Sequence, residues 1–136
     1  MKQLMTVDVP NVYNVWNQVY NFFKDSDRSE LDETTIESYK LGVLNRTHNL
    51  LVVVENNIII GVFIMYFINS PTCRILNIAF AGGKGIVVKE VTDQIEQFAR
   101  SQGATKIKAQ AKDSQARLYK MVMGLEKTTN VVEKLL

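Results

Sequence analysis

Cysteine, histidine and proline are nearly missing from this chain, and each shortage narrows what it can be. A single cysteine, Cys73, excludes an intramolecular disulfide. It fits a reducing compartment, or a thiol buried as a small hydrophobe. The one histidine, His48, has no cysteine or carboxylate cluster at ligand spacing nearby, so no metal is expected. No Gly-x-Ser-x-Gly elbow is present to present a nucleophilic serine. The two prolines, Pro10 and Pro71, stand at segment boundaries and leave long stretches open to regular structure. Charge of one sign is also scarce. With 16 basic and 14 acidic residues the formal net charge is +2, which implies no strongly charged partner such as nucleic acid.

Long hydrophobic runs are lacking too. The first eight residues have no apolar stretch of the signal-peptide kind. Residues 50–68 resemble a membrane span until Glu55-Asn56-Asn57 interrupts them, and such polar groups are costly in lipid. Two strands joined by an Asn-Asn turn account for the segment better, because asparagine tolerates positive φ. These features lead to the expectation of a cytoplasmic protein without a membrane partner.

What is present is enough for one core. The 136 residues are 46% hydrophobic and 22% charged, with no repeat or low-complexity stretch. That suits a single globular domain over residues 1–136. Residues 2–7 read as a short strand. Val12, Val15, Trp16, Val19, Phe22 and Phe23 recur at helical spacing, predicting a helix over 11–24. Thr34-Thr35-Ile36-Glu37 matches a capping box and predicts a second helix ending near Asn45. Residues 50–54 and 58–68 read as paired antiparallel strands, the second apolar on both faces and therefore interior.

Residues 74–81 read as the next strand, with Leu76, Ile78 and Phe80 on one face and Ile75, Asn77, Ala79 and Ala81 on the other. Val88, Val91, Thr92, Ile95, Phe98 and Ala99 then define an amphipathic helix over 87–102. Ile107, Ala109 and Ala111 alternate with Lys106, Lys108, Gln110 and Lys112, as in a strand with one wet face. Asp113 is placed to cap a short helix to about Val122, and residues 126–136 supply a strand or a short hairpin. The unit from Arg74 to Lys112 should be a right-handed parallel crossover inside a mixed sheet with helices on both faces.

The densest chemical signal is Ala81-Gly82-Gly83-Lys84-Gly85, between that strand and that helix. Glycine permits close approach and positive φ, and loop amides leading into a helix N-terminus form an anion site. This spacing points to a phosphate-bearing ligand, the alternative being a tight strand-to-helix turn with no ligand; it identifies no reaction.

The element order, with a glycine loop opening the third helix, resembles the GNAT N-acetyltransferase family over nearly the whole chain. Local phrases match as well: residues 94–103 resemble the end of the family's third helix. Residues 104–107 resemble its fifth strand. Asp113-Ser114-Gln115-Ala116-Arg117-Leu118-Tyr119-Lys120, with Gly124-Leu125 beyond, resembles its Asn-x-x-Ala-x-x-Leu-Tyr segment and later Gly-Phe. The Gly-Gly and short tail resemble, more narrowly, small degenerate GNAT-like proteins of tailed phages.

The resemblance implies acetyl-coenzyme A as cofactor, without a metal. The pyrophosphate would be held by amides of Gly82, Gly83, Lys84, Gly85 and Ile86, and the pantetheine aligned by backbone near Phe80 and Ala81. Tyr119 would be the proton donor. The chain departs from the pattern where two small positions of the family's phosphate loop fall on Ile86 and Val88, whose branched side chains are expected to crowd a pyrophosphate. A further departure, one extra residue between Tyr119 and Gly124, displaces the tyrosine or forces a bulge. The implied function is an acetyl-coenzyme A-dependent N-acetyltransferase, weak or inactive, acting on an unspecified amine. The alternative is a non-catalytic phage component, partnered with virion proteins, that kept the fold.

Other residues admit plainer readings. Asn77 is either a hydrogen-bonded core amide or a contact to an acyl group. Glu55 sits at a turn and should be solvated, Cys73 should be a buried structural thiol, and Lys106, Lys108 and Lys112 should form a solvated face.

Overall fold

A computed structural model describes residues 1–26, 32–110, 124, 126–128 and 131–136. Its elements are β1 (Gln3–Thr6), α1 (Val12–Lys24), α2 (Glu33–Leu44), β2 (Asn49–Glu55), β3 (Ile58–Asn69), β4 (Arg74–Gly82), α3 (Lys89–Ser101), β5 (Lys106–Gln110), β6 (Glu126–Thr128) and β7 (Val131–Leu135). The strands form one seven-stranded sheet in the order β1-β2-β3-β4-β5-β7-β6. Among the described residues only β4 and β5 pair in parallel, joined through α3 as the crossover reading requires. The tail is a β6–β7 hairpin, and β7 pairs antiparallel with β5.

Each helix forms where its apolar period says it should. Val12, Trp16, Val19 and Phe23 are the buried stripe of α1, and Val91, Thr92, Ile95 and Ala99 that of α3. The two stripes cover opposite faces of the sheet. The α3 face carries a core including Leu76, Ile78, Ile86, Val87 and Ile107. The α1/α2 face carries a second core with Leu50, Ile64, Phe80 and the helix residues Trp16, Phe23 and Ile36. The Asn56-Asn57 turn joins β2 to β3 with φ of 53° and 64°, the two positive values a type I′ hairpin needs.

The exposed edge of β1 is closed by α3. The Gln94 carboxamide accepts from the Leu4 amide at 2.8 Å and donates to the Lys2 carbonyl at 2.9 Å, as a neighbouring strand would. At the other side, Lys134 of β7 pairs with Glu96 of α3 at 2.6 Å.

Four local expectations are corrected. The cap of α2 is Asp32, not Thr34: its Oδ1 accepts from the Thr35 amide at 2.8 Å, so the helix starts two residues earlier. Helix α3 starts at Lys89, two residues late, because Val87 turns into the core instead of joining the first turn. Cys73 is half-buried in a turn, its Sγ 3.2 Å from Ser70 Oγ, and is no core thiol. Lys106 and Lys108 are half-buried, because β5 lies between two strands and is not a rim. Ala111, Lys112, the predicted helix from Asp113 and Tyr119 lie outside the described residues.

His48 precedes β2 and lies against Gly42 of α2, where any Cβ would run into its imidazole. Its ring is 5.1 Å from that of Tyr66. Burial pushes its pKa below the ordinary 6.5. The unfolded chain therefore binds this proton first as pH falls, and folding stability declines from 6.5 down through the depressed value. Denaturant titrations at neutral and mildly acidic pH should show that decline, and His48→Gln should flatten its histidine component.

Candidate functional site

The site begins with an irregularity in β4. The β3–β4 register pairs Ile64 with Phe80 but Met65 with Ile78, which leaves Ala79 as an extra residue. Such a bulge reverses the faces of everything beyond it. Leu76 and Ile78 face α3, as does Ala81, while Ala79 and Phe80 face α1 and α2. The expected alternation therefore fails after Ile78: Phe80 leaves the Leu76–Ile78 face and packs at a tilt against Phe23, ring centroids 4.5 Å apart. Alongside this bulge, β4 and β5 are in parallel register from Ile75–Lys106 to Ile78–Ala109, and β4 runs on to Gly82.

From Gly82 the chain enters the glycine loop. Gly83 has φ of 122° and Gly85 of 70°, both in the region closed to most side chains. At Gly83 a Cβ would lie 2.5 Å from the Ile60 carbonyl oxygen and 2.8 Å from Gly61 Cα. Gly61 is small for the reciprocal reason, since a Cβ there would lie 2.5 Å from Ile86 Cγ2. The two glycines let the loop fold down on β3. Gly85 has nothing within 4 Å of a notional Cβ, and 83–85 are exposed.

The branched residues do not crowd this loop. Ile86 is 2% exposed and joins the α3 core with Val87, while Val88 packs partly against it. Their side chains point inward, which corrects the expectation that Ile86 and Val88 would block an anion. Among the described residues, no acceptor takes the amides of residues 84–90; the first bonded amides are those of Val91 and Thr92, both to the Val88 carbonyl. Val88, as N-cap of α3, has no side-chain cap, in contrast to Asp32 on α2. The helix-end donors that Asp32 satisfies in α2 are thus open in α3. Glu90, the acidic residue of the first turn, is drawn aside by accepting from the Lys2 amide at 2.7 Å. Lys84 stands exposed at the loop tip and Lys89 pairs with Asp93 at 3.1 Å. These features fit a phosphate group: open amides, a helix dipole, one basic side chain and no competing carboxylate.

The remaining sequence candidates separate from this loop. Phe80 and Ala81 are buried along β4, with Phe80 itself a core side chain. Gly82 pairs with Val62 at the end of the ladder. Glu55 lies at the β2–β3 turn, 4.0 Å from the N-terminal amine. Tyr119 lies outside the described residues. One feature was only half visible in sequence. Asn77 on β4 is 4% exposed on the α1/α2 face, and its Nδ2 has no hydrogen-bond partner among the described residues. Among the described residues no group of three or more His, Cys, Asp or Glu is placed to hold a metal. No helix among them is long and apolar enough to cross a membrane.

No family model and no curated protein matches the sequence. Solved structures do match. A polyamine N-acetyltransferase of Drosophila melanogaster, which forms N-acetylagmatine, superposes with a TM-score of 0.73 over 100% of both chains at 10% identity. A predicted acetyltransferase of Clostridium acetobutylicum, solved with acetyl-CoA, gives 0.63 over 95% of this chain and 92% of its own at 17% identity. The PaiA N-acetyltransferase of Thermoplasma acidophilum, in complex with coenzyme A, gives 0.67 over 100% and 99% at 12% identity. At these identities the likeness is one of fold: the bulged β4, the parallel β4–α3–β5 unit and the mixed sheet make this an α/β chain with the GNAT acetyltransferase fold.

Proposed function

We propose that this chain is an acetyl-coenzyme A-dependent N-acetyltransferase whose pyrophosphate cradle is the set of amides from residues 84–90. The observation that carries the reading is that these amides lack any acceptor among the described residues, while the branched side chains of the same loop are turned into the core. Solved proteins of this fold include one with acetyl-CoA and one with coenzyme A bound, which supports the choice of ligand.

Acetyl-coenzyme A, when bound, supplies an activated thioester. The chain contributes the rest. Loop amides and the α3 N-terminus neutralise the pyrophosphate, and Lys84 adds a charge at the exposed rim. The end of β4 at Gly82 sets the position of the loop and so orients the ligand. Fixing donor and amine together removes much of the entropic barrier. Attack by a neutral amine forms the C–N bond and breaks the C–S bond; the amine proton leaves to solvent. Tyr119 is assigned the protonation of the sulfur on the strength of the Ala116-x-Leu118-Tyr119 phrase. The loop is thus unusual in sequence and complete in donors, so an active enzyme is favoured over a virion component that kept only the fold.

Gly85 supplies the test, because its site is open and its φ of 70° is one asparagine and aspartate tolerate. Gly85→Asn and Gly85→Asp differ mainly by one negative charge. Calorimetric titration should give acetyl-CoA affinity about tenfold lower or worse for Gly85→Asp than for Gly85→Asn, the gap narrowing with salt. Equal affinities, or no binding by the unsubstituted chain, would remove the cradle and leave the virion or other scaffold role.

A further inference from the structure

The α1/α2 face of the sheet carries a polar row in an otherwise apolar surface. His48 contacts Tyr66 across β2 and β3 with rings 5.1 Å apart. Tyr66 is in register with Asn77 of β4, and Asn77 with Lys108 of β5. The row crosses β4 two residues before the bulge. Asn77 lies five residues before Gly82, roughly 16 Å at about 3.3 Å per residue. An extended pantetheine arm is of similar length, so an arm anchored at the glycine loop brings its acyl end to this row.

Asn77 is 4% exposed, and its Nδ2 has no hydrogen-bond partner among the described residues. An unmet buried amide is destabilising, whereas an apolar isostere in its place is neutral or stabilising. The chain thus keeps at this point a group that weakens its own fold.

We propose that the Asn77 carboxamide binds the first peptide unit of a polypeptide acceptor, so that the substrate is a protein or peptide N-terminus; this rests on the acetyltransferase reading above. Nδ2 is a donor, so the partner must supply an acceptor. The carbonyl of a peptide unit beside an α-amine is one. The ammonium groups of a polyamine are donors only and leave Nδ2 unmet.

The test uses the full chain and its Asn77→Leu variant, with acetyl-CoA binding measured by calorimetry and acetylation measured on free-amine peptides and on spermidine. The unsubstituted chain should bind acetyl-CoA and acetylate peptides with higher kcat/KM than spermidine. Asn77→Leu should raise the peptide KM about tenfold, the worth of one such hydrogen bond. It should leave acetyl-CoA affinity unchanged and raise Tm by about 3 °C. A Tm that falls by as much identifies a structural amide held by buried water and overturns the proposal. So does preference for spermidine, an unchanged peptide KM, or a chain that binds acetyl-CoA and acetylates neither. Loss of acetyl-CoA binding by the unsubstituted chain overturns the underlying acetyltransferase reading instead.

Discussion

Gly83→Ala should destabilise the protein by about 3 kcal/mol or more and abolish acetyl-CoA binding at the temperature where the native chain binds. Two independent effects add. The φ of 122° is far from any well open to alanine. The new methyl would also lie 2.5 Å from the Ile60 carbonyl oxygen and 2.8 Å from Gly61 Cα, both backbone atoms of an interior strand that cannot rotate away. Gly85→Ala is the matched control. Its φ is also positive, 70°, but nothing lies within 4 Å, so it should cost only about 1 kcal/mol. Urea denaturation of the pair checks this. Similar losses would mean that the loop is not pressed against β3.

The second large effect belongs to the bulge. Phe80 is fully buried, and Phe80→Ala should cost about 3–5 kcal/mol. Its direction of packing makes the prediction sharper. With Ala79 as the extra residue, Phe80 meets Phe23 of α1 at 4.5 Å and not the α3 residues that Leu76 and Ile78 meet. A double-mutant cycle of Phe80→Ala with Phe23→Ala should show coupling on the order of 1 kcal/mol or more, while the cycle with Ile95→Ala should be additive within about 0.5 kcal/mol. The reverse pattern would put Phe80 on the α3 face, as plain strand alternation expects, and would remove the bulge that marks the site.

The contrast between what the residues announced and what they hid has a physical pattern. The helical stripes of α1 and α3, the Asn56-Asn57 hairpin and the parallel β4–α3–β5 unit were all legible, because each depends on periodicity or on turn chemistry within a few residues. The face of Phe80 was not. A bulge is set by pairing with β3, and nothing in Ala79 itself signals one. The fate of Ile86 and Val88 was misjudged for a similar reason. Read against a motif they are obstacles, but α3 begins at Lys89, so Ile86 and Val87 are free to turn into the core. Gly61 within the long apolar β3 was the available clue, since a strand glycine marks a close approach by another chain segment. The orphaned nitrogen of Asn77 needed coordinates, because burial of one polar residue in an apolar strand reads equally well as a satisfied core amide.

A titration of isotopically labelled protein with acetyl-CoA, followed by amide resonances, tests the loop most directly. Saturable shifts should concentrate on the backbone amides of residues 84–90 and be nearly absent at the N-terminus of α2, where Asp32 already occupies the helix end. Shifts that spare residues 84–90, or no shifts at all, would contradict the assignment of these amides as the seat of the pyrophosphate.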